Sequence, residues 1–172
     1  DFPQHIHRFG FMAGYSTAKP RDEVPVNRKA AMEMAALHDA LLASGYTGHA
    51  VEVFLVRILF CLFADDTGIF NAGSFAEFVE YGTKEDGTDT GTQLSFLFQI
   101  LNTSEDKRQT NLDENLARFP YVNGDLFSEP LPLPSFDRTS REWLLRCCFF
   151  NWSKVSPVIF GSMFQAVMNP QL

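Results

Sequence analysis

The sequence predicts an all-α domain, an irregular bundle of about six helices with one small β-hairpin. Apolar residues recur at helical spacing in several separate stretches, and candidate caps or glycine stops fall at the ends of those stretches. A strong hairpin signal occurs once, at Phe119–Phe127. A chain of 172 residues suffices for one domain with a real core, and 18 phenylalanines within a 45% hydrophobic composition supply its bulk.

Residues 1–25 show no helical period and contain Gly10, Gly14, Pro20 and Pro25. They read as an irregular lead-in, the end of a preceding domain, with the helical domain proper at 26–172. Asn27 is a candidate N-cap for a helix to about Ser44, with Met34, Leu37 and Leu41 on one face and Gly45 as its stop. His49 to about Ala64 is apolar nearly all round, the mark of a central helix. Val51, Val53 and Val56 would also suit a strand, but the length favours a helix, and Asp65, Asp66 and Gly68 end it. Ser74 and Glu77 have capping-box spacing and open a short helix to Tyr81. Gly82–Gly91 is polar and acidic and reads as an exposed loop. Leu94, Leu97 and Leu101 share a helix face, Ser104–Thr110 reads as solvated, and Leu112–Ala117 reads as a weak helix.

In Phe119–Phe127 (FPYVNGDLF), Asn123-Gly124 between apolar pairs predicts a hairpin turn. Pro130, Pro132 and Pro134 keep the following segment extended. Thr139 and Glu142 repeat the capping-box spacing and open a helix through Trp143, Leu144, Cys147 and Cys148. Ser156-Pro157 launches a last helix to Met168, on which Phe160, Phe164 and Met168 form an i, i+4, i+8 row.

Charge is unevenly spread. Residues 65–129 carry four basic against thirteen acidic side chains, whereas residues 130–172 carry Arg138, Arg141, Arg146 and Lys154 against two acids. The acidic middle argues against a free-standing DNA binder, because phosphate neutralisation supplies most non-specific affinity. The basic last third leaves room for a few backbone contacts by those four residues. Val51–Phe63, the longest apolar run, is shorter than a bilayer span of ~20 residues and contains Glu52 and Arg57. With no secretory signal, a soluble, cytoplasmic protein without membrane partners is expected. Cys61, Cys147 and Cys148 fit no metal or disulfide spacing and read as buried, reduced thiols.

No catalytic, cofactor-binding or metal site emerges. Asp65-Asp66 could bind a divalent metal, yet no lysine and third acid follow at a strand, so capping roles are favoured. His5, His7, His38 and His49 form no HExxH or close ligand pair. Phe160-Gly161-Ser162 is not a nucleophile elbow; it falls inside a helix, where Gly161 would permit close packing. Gly82, Gly87 and Gly91 lie across an acidic loop that would repel phosphate. Cys147-Cys148 has no histidine partner nearby in sequence.

Three ordered strings go further: Leu59–Phe70 (LFCLFADDTGIF), Phe119–Phe127, and Asn151–Gln165 (NWSKVSPVIFGSMFQ). In these strings the chain, from about Pro25 onward, resembles the helical spacer of MmeI-like (Type IIL/IIG) restriction–modification enzymes. Such enzymes join an N-terminal nuclease, a helical connector, an N6-adenine DNA methyltransferase and a target-recognition domain in one polypeptide. The resemblance implies a non-catalytic connector flanked by nuclease and methyltransferase domains. It implies that S-adenosylmethionine, Mg and DNA belong to the parent protein, and that Phe160, Phe164 and Met168 touch a neighbouring domain. Asn169-Pro170-Gln171 is not the family's NPPY-type motif, so no catalytic residue carries over, and the chain is expected to stop between two catalytic domains. The alternative is a module that contacts the DNA backbone through Arg138, Arg141, Arg146 and Lys154.

Overall fold

The computed structural model describes residues 23–156 together with 158, 161 and 162. Six α-helices follow in order: α1 (Glu23–Ala43), α2 (Gly48–Thr67), α3 (Ser74–Gly82), α4 (Thr90–Leu101), α5 (Glu114–Ala117) and α6 (Arg138–Phe149). Short 3-10 turns occupy Glu105–Lys107 and Trp152–Lys154, and Val158, Gly161 and Ser162 are helical. Residues 1–22 with His5 and His7 lie outside the described residues, as do Phe160, Phe164 and Met168.

The central position of α2 follows from its sequence. Val51, Phe54, Leu55, Val56, Ile58, Leu59, Cys61 and Leu62 are buried around its whole circumference. On α1, Ala30, Met34, Leu37 and Leu41 form one apolar stripe, each at most 1% exposed, and that face packs on α2 and α6. Six contacts link seven phenylalanine rings into one path: Phe54–Phe98–Phe127–Phe60–Phe70–Phe119–Phe78, with centroids 5.1–6.1 Å apart. Most are edge-on, and such pairs contribute about 0.5–1.5 kcal/mol beyond their buried area.

The helix ends show where local pattern and tertiary structure part company. α1 begins four residues before the expected cap, because Pro25 fits a first turn, where a missing N–H costs nothing. Asn27 is therefore buried inside the helix, and its Oδ1 accepts the N–H of Ser156 at 3.4 Å. At the other end, Gly45 stops the helix as expected: it adopts φ 94°, and Tyr46 and Gly45 donate to Leu41 and Leu42 in a Schellman arrangement. α3 is capped from elsewhere in the chain rather than by Ser74 and Glu77. Asp65, in the last turn of α2, accepts the N–H groups of Phe75 and Ala76 at 2.9 and 3.1 Å. α6 starts two residues early on a reciprocal pair, Asp137 with Ser140, instead of Thr139 with Glu142.

The two capping aspartates carry opposite pH signatures. Burial pushes the Asp65 carboxyl up, and the Phe75 and Ala76 N–H groups pull it back only in part. Its ionisation therefore costs stability as the pH rises through that raised value. The N–H and hydroxyl of Ser140 hold Asp137 below the usual carboxylate range, so its stabilisation is lost as the pH falls through the lowered value. Asp65→Ala strands two N–H groups, one of them in a buried bond, and is expected to lower unfolding free energy by about 2 kcal/mol in urea titration.

The expected hairpin at Phe119–Phe127 does not form, and the described residues contain no strand. A type I′ turn needs positive φ at both central residues, and only Gly124 has it (φ 122°). The backbone groups a ladder would use are taken elsewhere. Val122 donates to Leu101 O, Arg108 binds the carbonyls of Ala117 and Phe119, and Arg57 binds those of Leu126 and Glu129. Phe119 and Phe127 anchor the two ends in the core instead.

The acidic 82–91 stretch also departs from the fully exposed loop expected. Thr83, Gly87, Thr90 and Gly91 are buried, because the stretch lies against the segment leading into α6. Gly161, expected to permit close packing, would meet nothing within 4 Å with an added Cβ among the described residues.

Candidate functional site

Arginines terminate helices in this fold. Arg141, only 6% exposed, donates to Thr83 Oγ1 at 2.8 Å and to Glu80 O at 2.9 Å, taking up the C-terminal end of α3. Arg108 donates to Ile100 O and Thr103 O at 3.0 Å, closing α4, and reaches Phe119 O at 2.8 Å. Neither role has a local signal, since the partners, backbone carbonyls and the Thr83 hydroxyl, lie on a different element or turn.

The four basic residues singled out from the sequence therefore do not form one patch. Arg138, Arg146 and Lys154 are exposed, whereas Arg141 faces inward. Arg146 lies 3.6 Å from Glu33 Oε1 and places its guanidinium 4.9 Å from the Trp143 ring centroid. Arg141→Ala strands Glu80 O and removes the donor to Thr83 Oγ1, whose hydroxyl keeps its bond to Val79 O, and is expected to cost about 2 kcal/mol. Arg146→Ala breaks a half-exposed pair and should cost no more than about 1 kcal/mol in the same urea titration.

The α1–α6 seam is the best-defined interface within the fold. Beside its apolar stripe, Glu33 of α1 is 7% exposed and is approached by both Lys29 and Arg146 at 3.6 Å. The Cys147 thiol of α6 contacts Glu33 O at 3.5 Å. Asn27 ties the start of α1 to Ser156, beyond the Trp152–Lys154 turn. α1 is thus fixed along much of its length, with only the short turn 44–47 between it and α2.

The remaining candidates have structural partners. Both Asp65 oxygens bind backbone N–H groups, and Asp66 accepts the Trp152 N–H at 2.7 Å. No group of three or more His, Cys, Asp or Glu suited to a metal occurs among the described residues. Cys61, Cys147 and Cys148 are buried thiols, and burial pushes all three up, away from the reactive thiolate. His38 is buried, and His49 pairs with Glu129 at the surface, its Nε2 2.9 Å from Oε2. Among the described residues no helix is long and apolar enough to cross a membrane.

Comparison with known proteins gives this architecture a family. Residues 49–127 match the family described as "MmeI, helicase spacer domain", and residues 1–44 match "MmeI, N-terminal domain". DNA methyltransferase A of Bacillus subtilis (strain 168) is 35% identical over 175 residues, covering 99% of this chain and 20% of that protein. A solved structure of the Type IIL restriction–modification enzyme MmeI in complex with DNA is 55% identical and aligns with a TM-score of 0.74. It covers 82% of this chain and 19% of its own. The chain spans about a fifth of the length of either relative. With two adjacent matches to one family and an all-helical fold in common, the chain belongs to the MmeI-like family and carries its spacer domain.

Proposed function

We propose that this chain is the non-catalytic helical connector of a bacterial restriction–modification enzyme. It sets the distance and orientation between a nuclease and an S-adenosylmethionine-dependent N6-adenine DNA methyltransferase in one polypeptide. One observation carries the reading: α1, within the stretch similar to the N-terminal domain, shares its core with the helices similar to the spacer. A helix of 21 residues is a rod of about 30 Å, and its packed stripe leaves no flexible joint where it meets the spacer. A flexible linker would instead give a broad spread of separations.

S-adenosylmethionine, Mg and DNA are assigned on this reading to the parent protein, and the flanking domains are the partners of this chain. The domain boundary is placed near residue 25, and Phe160, Phe164 and Met168 are proposed to contact a neighbouring domain. Phosphate contacts would rest on the exposed Arg138, Arg146 and Lys154. Three such contacts give a log affinity against log salt slope no steeper than about −2.7, too few to hold DNA alone.

The test uses the longer parent protein. Met34→Ala with Leu37→Ala loosens the α1 seam. Its cut position on DNA is expected to spread or cleavage to fail, while methylation of the same site continues. A single unchanged cut position at the original rate would refute the reading.

A further inference from the structure

Arg57 sits mid-way along α2 with 3% exposure, and none of the ion pairs among the described residues includes it. Its Nε donates to Leu126 O at 2.9 Å and one terminal nitrogen to Glu129 O at 2.6 Å. The guanidinium carbon lies 5.5 and 5.7 Å from the ring centroids of Phe98 and Phe127. The acid of Glu129 is engaged by His49 at the surface, with Nε2 3.0 and 2.9 Å from its two oxygens. A buried charge without an anion is costly, and buried arginines are ordinarily paired. Burial accordingly draws the Arg57 pKa down, with the more distant Glu129 charge restoring part of it.

The guanidinium also lines a groove. About 350 Å³ of space lies between α2, α4 and the 128–134 strap, bounded by Arg57, Ser95, Phe98, Gln99 and Asn102. The second terminal nitrogen of Arg57 has no hydrogen-bond partner among the described residues. Pro130, Pro132 and Pro134 of the strap have no N–H to offer an anion. The donors available to a ligand include the arginine, the Ser95 hydroxyl and the Gln99 and Asn102 amides, beside an apolar wall of Phe98 and proline rings. Glu129, which also lines the groove, has its carboxylate engaged by His49. We propose that this groove binds a carboxylate on a small apolar body, its oxygens on Arg57 and its body against Phe98 and the strap. The carboxylate comes either from a free small acid or from an acidic side chain of an adjoining part of the parent polypeptide.

The probe is benzoate, titrated into the 172-residue chain and followed by NMR at the Arg57 side chain and at Gln99 and Asn102. Saturable shifts at those residues are expected, with benzamide and inorganic phosphate at least about tenfold weaker, because benzamide carries no charge to pair with the guanidinium and phosphate has no apolar body to set against Phe98 and the strap. Arg57→Met should abolish binding. Gln99→Leu, at an exposed position, keeps the fold and should weaken binding about fivefold, independently of how Arg57→Met folds. Equal binding of benzoate and benzamide, phosphate as tight as benzoate, shifts mapping elsewhere, or no saturation would overturn the site. So would unchanged affinity in Gln99→Leu. Repeating the titration on the parent protein assigns the source: blocked binding means a resident acidic side chain, and retained binding means a free acid.

Discussion

Trp152→Ala is expected to lower the unfolding free energy by about 4 kcal/mol, the upper range for emptying a large core site. Trp152 is fully buried, and it joins three elements at once. Its backbone N–H donates to Asp66 at the end of α2, and its indole Nε1 donates to Cys147 O in the last turn of α6 at 2.8 Å. The short turn that carries it also packs on α1. Removing the ring leaves a cavity and takes from Cys147 O the shorter of its two donors, leaving it the Phe150 N–H at 3.3 Å, so a hydrogen-bond cost adds to the transfer cost. Trp152→Phe retains most of the apolar volume and loses only the indole donor; about 1–2 kcal/mol is expected. Urea unfolding followed by circular dichroism reads both, and equal losses in the two variants would contradict this division.

Gly91→Ala is expected to cost about 3 kcal/mol, although helix propensity alone would make alanine better by ~1 kcal/mol. An added Cβ at Gly91 would sit 1.9 Å from Pro134 O and 3.0 Å from Pro134 C. Those are backbone atoms of the strap, which cannot rotate aside as a side chain would. The strap would have to lift from the first turn of α4, taking buried Phe136 with it. Gly82→Ala supplies the comparison, since its Cβ would meet only the Phe78 ring at 3.5 Å, an ordinary contact. A near-neutral Gly82→Ala beside a strongly destabilised Gly91→Ala identifies the close approach as the cause. A stable Gly91→Ala would show that the strap yields.

Helix identity was legible in this sequence because it rests on local periodicity. The all-round apolar run of α2 and the Met34–Leu37–Leu41 stripe of α1 each specify which face is buried. Glycine stops at Gly45 and Gly68 were equally local, needing only one residue at positive φ. What failed depended on partners distant in sequence. Asn123-Gly124 carries a hairpin signal, but Arg57 and Arg108 hold the carbonyls that its flanks would have exchanged. Ser74 with Glu77 and Thr139 with Glu142 have capping-box spacing, yet Asp65 and Asp137 reach the helix ends first. Arg141 looked like a surface cation because nothing in its own helix reveals that Thr83 and Glu80 await it. Arg57 was visible only as a charge interrupting an apolar run. Its unpaired burial needed the position of Glu129, 72 residues away.

The proposed role depends on α1 being an inseparable part of the spacer core. Native-state hydrogen exchange tests this most directly, by comparing amides over 34–41 in α1 with amides over 55–62 in α2. If α1 is built into the core, both sets open only with global unfolding, at free energies within about 1 kcal/mol of each other. If the α1 amides exchange through a separate opening several kcal/mol cheaper, α1 is a detachable arm and cannot hold a fixed distance.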